Sequence, residues 1–231
     1  MKSEVYNIDC MQYMESLPDN YFDLAIIDPP YGLGEDGLSN HNRGCKAIAK
    51  KYKISTWDKT PVKKNILEEV IRVSKNQIFW GANHYISRIP FDSSCWLVWD
   101  KDNGKTDFAD CEIAYTSFKT AIRKFKFKWQ GMIQGNMKNK EIRIHPTQKP
   151  IALYKWILKN YAKPGNLIFD SHLGSGSSRI AAYDLGFDFY GTELDIDYFN
   201  DSQERFKNHV ANGSLFCAEE INDLVFNGQN K

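Results

Sequence analysis

Leu167-Ile168-Phe169-Asp170-Ser171-His172-Leu173-Gly174-Ser175-Gly176-Ser177-Ser178-Arg179-Ile180-Ala181-Ala182 reads as a buried strand, a glycine loop and the opening turns of a helix. Gly174 and Gly176 let a ligand approach the backbone, and the helix N-terminus behind them favours negative groups. Glu193 follows the loop by about 20 residues, after Phe187-Asp188-Phe189-Tyr190-Gly191, where a carboxylate that bonds ribose hydroxyls is placed. The dinucleotide fingerprint would need a third glycine where Arg179 stands, so a close pyrophosphate contact is not encoded and a nicotinamide dinucleotide is disfavoured. A glycine pair by itself is also the mark of a plain tight turn, so other segments have to decide.

One such segment is the apolar run Asp23-Leu24-Ala25-Ile26-Ile27, which closes on Asp28-Pro29-Pro30-Tyr31. Open parallel sheets bind ligands just beyond the carboxyl ends of their strands, which is where this loop falls. Pro29 and Pro30 fix their own φ and remove two amide donors, leaving carbonyls that can only accept. Asp28 adds a carboxylate acceptor, Tyr31 a flat face on which a base could stack, and Gly32 a turn of low steric cost. Such a loop can grip an amino group.

Strands and helices alternate along the chain. A strand at Val5–Ile8, a helix near Met11–Leu17 and the strand ending at Ile27 form one βαβ unit, followed by a helix near Asn65–Ser74. Strands are expected near Gln77–Trp80, Cys95–Trp99 and Cys111–Ser117, and Pro150 opens a helix reaching about Tyr161. Asp197 to about Val210 reads as a surface helix. This order favours an α/β, doubly wound, mostly parallel sheet with right-handed crossovers, as one domain spanning residues 1–231 with insertions at about 33–64 and 119–144.

Composition agrees with an intracellular, cytoplasmic protein. The 231 residues are 42% hydrophobic, enough for a sizeable core, and no apolar run approaches a membrane span. Cys10, Cys45, Cys95, Cys111 and Cys217 are odd in number and scattered, which favours free thiols in a reducing compartment. His41 and Cys45 are too few for a zinc site, and no metal is expected.

Net charge is +1, but its distribution is uneven. Lys119, Arg123, Lys124, Lys126, Lys128, Lys138, Lys140, Arg143 and Lys149 face the single acid Glu141. A second basic stretch, including Arg43 and Lys46, runs to Lys64 against Asp58. Charge runs are commonly solvated faces, yet two of them flank the proposed site, and phosphate contacts need such clusters. Arg43, Lys46, Lys124, Lys126 and Lys128 are the candidate phosphate contacts to a nucleic acid. Alternation in Lys124-Phe125-Lys126-Phe127-Lys128-Trp129 suggests a strand with one basic and one apolar face, its aromatics belonging to the core.

Together these motifs carry a resemblance. Ser16-Leu17-Pro18-Asp19-Asn20-Tyr21-Phe22-Asp23 leading into Asp28-Pro29-Pro30-Tyr31, then His145-Pro146-Thr147-Gln148-Lys149-Pro150, the glycine loop and Gly191-Thr192-Glu193-Leu194-Asp195 resemble an S-adenosylmethionine-dependent DNA amino-methyltransferase. The likeness is to the permuted (beta) class, DPPY type, in which the catalytic motif precedes the cofactor motif. Trp96-Leu97-Val98-Trp99-Asp100-Lys101 and Phe108-Ala109-Asp110-Cys111-Glu112 resemble the small phage-associated adenine-N6 members, as found beside restriction systems. One departure is Asp170-Ser171-His172, where many relatives have Asp-Pro-Phe.

The resemblance implies a Rossmann-like class I methyltransferase fold, with S-adenosylmethionine as cofactor. It implies that Asp170, Gly174, Ser175, Gly176 and Ser177 cradle the methionine part, Glu193 takes the ribose, Asp9 faces the adenine, and Thr147 and Lys149 close the other side. Asp28 and the Pro29 carbonyl would accept the amine protons, with Pro30 stiffening the loop and Tyr31 stacking on a flipped base, a role Phe could also fill. Asp at the first loop position favours adenine-N6 over cytosine-N4, whose members more often carry Ser; an RNA or protein amide substrate, or a non-catalytic binding module, are remoter readings. The two insertions are short for target recognition, which implies a short target or a second subunit, and a homodimer stays open.

Overall fold

The computed structural model describes residues 1–34, 58–104, 109–130 and 133–213. Ten strands are present among them: β1 (Ser3–Asn7), β2 (Leu24–Ile27), β3 (Gln77–Trp80), β4 (Leu97–Asp100), β5 (Cys111–Thr116), β6 (Arg123–Lys126), β7 (Trp129–Gln130), β8 (Ile133–Gln134), β9 (Leu167–Asp170) and β10 (Asp188–Glu193). The helices are α1 (Cys10–Glu15), α2 (Lys64–Val73), α3 (Ile151–Tyr161), α4 (Ser177–Asp184) and α5 (Ile196–Gly213).

Eight strands form one sheet in the order β1-β10-β9-β2-β3-β5-β4-β6, and β7 and β8 pair antiparallel as a separate two-stranded sheet. All neighbours in the large sheet are parallel except β5, which runs antiparallel to β3 and β4. A Rossmann-like doubly wound sheet results, as the sequence pattern led us to expect.

Side chains of the central strands alternate between two cores. Leu24 and Ile26 of β2 pack with Ile168, Phe189 and the residues Leu153, Ile157 and Ala181 of α3 and α4. Ala25 and Ile27 face the other way, with Phe79 and Phe169, onto Met14 of α1 and Leu67, Val70 and Val73 of α2. Period-two alternation with apolar residues on both faces is what a covered parallel sheet requires.

Because β9 continues to β10 on one side while β2 continues to β3 on the other, the strand order reverses between β9 and β2. Their carboxyl ends carry Asp170 and Asp28, and the register pairs Ala25 with Phe169, so both carboxylates open onto one crevice.

The alternating segment after Arg123 is interrupted. Strand β6 ends at Lys126: the Phe127 amide makes the last ladder bond, to the Asp100 carbonyl, and the Phe127 carbonyl is then taken by the Trp99 indole. Phe125 and Trp129 are core residues, as the alternation suggested. Part of the expected 119–144 insertion is therefore the sheet's own edge.

Candidate active site

Asp28 follows the last residue of β2, and its loop is held by remote groups. The Asp58 carboxylate accepts from the amides of Tyr31 (2.8 Å), Gly32 (2.7 Å) and Leu33 (3.1 Å), and Val62 N donates to the Pro30 carbonyl (3.0 Å). The Pro29 carbonyl meets no donor among the described residues, so it keeps its acceptor capacity. Gly32 has φ +77°, and a Cβ there would lie 2.3 Å from Pro61 Cδ, so glycine is required.

Asp28 Oδ1 accepts from Tyr31 Oη (2.5 Å) and from Lys149 Nζ (2.6 Å), and the same ammonium lies 3.0 Å from Tyr31 Oη. Both donors converge on one oxygen, which leaves Oδ2 for an incoming donor. Burial pushes the Asp28 carboxyl up, and Lys149 pulls against it. Lys149 is also 2.9 Å from Glu112 Oε2, and Glu112 is 2.5 Å from Lys101 Nζ. Burial alone would raise Glu112, but the ammoniums of Lys149 and Lys101 outweigh it and bring that carboxyl down to about 2.

Lys149, expected to close the other side of the cofactor, pairs in this structure with the Asp28 carboxylate. Tyr31 contributes its hydroxyl as well as its face, so Phe is not its equivalent. One side of the ring region is already occupied: the Tyr31 and His84 rings stack at 5.2 Å, and a Cβ on Gly81 would come within 2.1 Å of Tyr31 Cε1.

Across the crevice the glycine loop is built from local hydrogen bonds. Asp170 is buried and accepts from His172 N (3.0 Å) and Ser178 Oγ (2.6 Å). Burial lifts its carboxyl to about 7, opposed by those two donors. Glu193 accepts from Gly174 N (2.7 Å) and Asp195 N (2.9 Å). Gly174 and Gly176 have φ +51° and +71°, so glycine is favoured there by the backbone rather than by crowding, a Cβ on Gly174 meeting nothing closer than 3.9 Å. Two carboxylates beside this glycine turn suit a ligand with cationic groups and ribose hydroxyls.

Ser175 and Ser177 are braced from α5. Arg205 of α5 donates to the Ser175 carbonyl (2.7 Å) and Ser177 Oγ (2.9 Å), and pairs with Glu141 (2.7 Å). Glu141 also accepts from Ile151 N (2.9 Å), capping α3. The one acid in the long basic stretch is thus a half-buried anchor between the His145–Pro150 segment and the glycine loop. Asp9 is the N-cap of α1, accepting from Met11 N (2.7 Å) and Gln12 N (3.4 Å). Thr147 is exposed, and its hydroxyl lies 3.0 Å from His145 Nδ1. Burial, then Lys149 and Arg143, lower the His145 imidazole to about 3, so it is neutral at pH 7.

Strand β6 runs parallel to β4 and hence to β2, so its carboxyl end, with Lys126 and then Lys128, lies at the same edge as Asp28. Four strand spacings separate them, roughly 19 Å. Lys124 pairs with Asp100 (3.3 Å) and Lys126 with Asp102 (3.0 Å), exposed contacts that a phosphate could replace at small cost. Arg43 and Lys46 lie outside the described residues, as do His41, Cys45 and Cys217. Cys10, Cys95 and Cys111 are free thiols, and among the described residues no His/Cys/Asp/Glu group fits a metal. No described helix is long and apolar enough to cross a membrane.

Glu112 and Asp58 had no assigned role in the sequence reading. An acid inside an otherwise apolar strand was the available signal for Glu112, since a buried charge is costly unless paired. Asp58 offered none, standing as one acid among exposed-looking lysines.

Comparison with known proteins bears on this crevice. The family described as DNA methylase matches residues 97–204. The type II methyltransferase M2.MboI of Moraxella bovis is 25% identical over 240 residues, covering 87% of this chain and 86% of its own. These matches support a DNA methyltransferase. The M1.HpyAVI–SAM complex aligns with TM-score 0.52 at 20% identity, over 87% of this chain and 98% of that one. The cytosine-N4-specific PvuII DNA methyltransferase aligns with TM-score 0.59 at 12% identity, over 97% and 92%. At such identities the two structures show the shared class I methyltransferase fold. The family match and the fold support S-adenosylmethionine as the cofactor.

Proposed function

We propose that the protein transfers a methyl group to the exocyclic N6 amine of adenine in double-stranded DNA, as a permuted-class, DPPY-type enzyme of the small, phage-associated kind. Bound at the glycine loop by Asp170, Gly174, Gly176 and Glu193, the cofactor would supply an electrophilic methyl carried on a sulfonium. The remaining chemistry is the protein's own. A base amine is a poor nucleophile because its lone pair is conjugated with the ring, and acceptors on its two protons localise that pair. Asp28 Oδ2 and the Pro29 carbonyl are two such acceptors. Once methylated, the nitrogen is acidic, and its proton passes to Asp28 or water; orientation and placed acceptors are the main catalytic terms.

The single observation that carries this reading is the anchoring of Asp28 through Oδ1 alone, by Lys149 and Tyr31, at the reversal point facing the glycine loop. Duplex DNA hides the amine, so the base must leave the stack, with Tyr31 beside its path. Lys124, Lys126 and Lys128 at the same sheet edge supply phosphate contacts. Asp28 at the first loop position favours adenine. Incubating duplex DNA with methyl-labelled cofactor and analysing its nucleosides tests the proposal: N6-methyladenine is expected, whereas N4-methylcytosine would move the base and unmodified DNA would refute the activity.

A further inference from the structure

Asp28 is one of two carboxylates that share a single buried ammonium. Lys149, with its side chain 3% exposed, places Nζ 2.6 Å from Asp28 Oδ1 and 2.9 Å from Glu112 Oε2. Glu112 is in turn 2.5 Å from Lys101 Nζ. Charges therefore alternate from the crevice outward: carboxylate, ammonium, carboxylate, ammonium. Such a chain joins four separate pieces of the fold, namely the loop after β2, the segment before α3, strand β5 and the residue after β4.

Building on the amine-transfer reading above, we infer that Glu112 is a positioning residue for Asp28: it shares Lys149, so that this ammonium fixes Oδ1 without neutralising the carboxylate that must hold the amine. A buried Asp28–Lys149 pair standing alone would be a closed, neutral contact and a weak acceptor. In a partly buried site each charge is felt more strongly than in water, so a second carboxylate on the far side of Lys149 offsets its positive field and keeps Oδ2 a strong acceptor. Glu112 acts through Lys149 and is not itself a catalytic residue. Lys101 compensates Glu112, which would otherwise leave an excess negative charge in the interior.

The groups facing Asp28 are Lys149 and Tyr31 in contact, Glu112 from β5, Asp170 from β9, Tyr85 from the turn after β3 and Tyr154 from α3. Lys149 lowers the proton affinity of Asp28 and Glu112 raises it. Removing the Glu112 charge should therefore make Asp28 a weaker base that titrates at lower pH.

Glu112→Gln keeps the side-chain volume and removes the charge. With the full-length protein, S-adenosylmethionine and duplex DNA, the single-turnover plateau should fall roughly ten-fold and the acid limb of the pH–rate profile should move to lower pH. Cofactor Kd should change by less than about two-fold, since the glycine loop is untouched. An unmoved limb, or a loss expressed as weaker cofactor binding, overturns the inference. A thermal-unfolding cycle of Asp28→Asn, Glu112→Gln and their combination reads the sharing without any reaction. Each single variant leaves Lys149 one carboxylate, whereas the double variant leaves a buried ammonium unpaired, so its Tm should drop well beyond the sum of the singles. Additive losses would overturn the sharing. A non-additive cycle in a protein that transfers no methyl group would instead sustain the sharing and sink the reading of the reaction.

Discussion

The two lips of the crevice end neighbouring parallel strands, yet they are held in different ways. On the β9 side, Asp170 and Glu193 take backbone amides from His172, Gly174 and Asp195, all within 20 residues. On the β2 side, Asp28-Pro29-Pro30-Tyr31 depends on Asp58, on Lys149, 121 positions away, and through it on Glu112. The β9 lip is assembled largely from neighbouring backbone amides, with Arg205 of α5 bracing the Ser175 carbonyl from 30 positions away. A lip that must hold a charged acceptor in a buried position needs compensating charges brought from elsewhere in the fold.

That contrast can be broken by substitutions on either side. The largest effect is expected for Gly81→Ala. Gly81 has φ +68°, and its Cβ would fall 2.1 Å from Tyr31 Cε1, so the acceptor lip must shift. Strain and overpacking together should cost about 2–5 kcal/mol, read as a lowered Tm with methyl transfer lost. An unchanged melting curve would mean that Tyr31 is not wedged as described.

Next comes Glu193→Gln, which keeps the shape and loses the charge that strengthens its hydrogen bonds. Cofactor Kd, measured by calorimetry, should weaken about ten- to a hundred-fold. The rate at saturating cofactor should fall much less than after changes at Asp28.

The smallest effect is a pH dependence of cofactor affinity through Asp170. Burial raises this carboxyl from 3.8 to about 7, so it is protonated below that pH and charged above it. A cationic cofactor prefers the charged form, and affinity should rise by at most about ten-fold per pH unit up to 7 and then level off. Stability without cofactor runs the other way. From 3.8 to about 7 the folded protein keeps a proton that the unfolded chain has released, so stability falls as pH rises through that window. Asp170→Asn should flatten both profiles; profiles that persist in the variant would assign them to another group.

Much of the local structure was legible in the sequence. Strand β3 falls at Gln77–Trp80 as expected, and the glycine loop, the helix after Pro150 and the Asp28 loop stand where turn chemistry and apolar periodicity put them. These signals are written in consecutive residues. The partner of Lys149 was not legible, because a lysine in a polar stretch reads as solvated until the fold brings it against β2. Asp9 shows the opposite case, a motif residue whose side chain in this structure caps α1. Glu141, the odd acid in a basic run, became meaningful once Arg205 of α5 was seen to meet it.

The division of labour between the two lips is tested most directly by Asp28→Asn, assayed for methyl transfer to DNA and for cofactor binding on the same preparation. Asn keeps the size of the side chain and removes the charged acceptor. A fall in single-turnover rate of about a hundred- to a thousand-fold, with cofactor Kd within about two-fold of the wild-type protein, is the predicted result. Parallel loss of both, or a rate close to wild type, would contradict the assignment of Asp28 as the group that holds the amine.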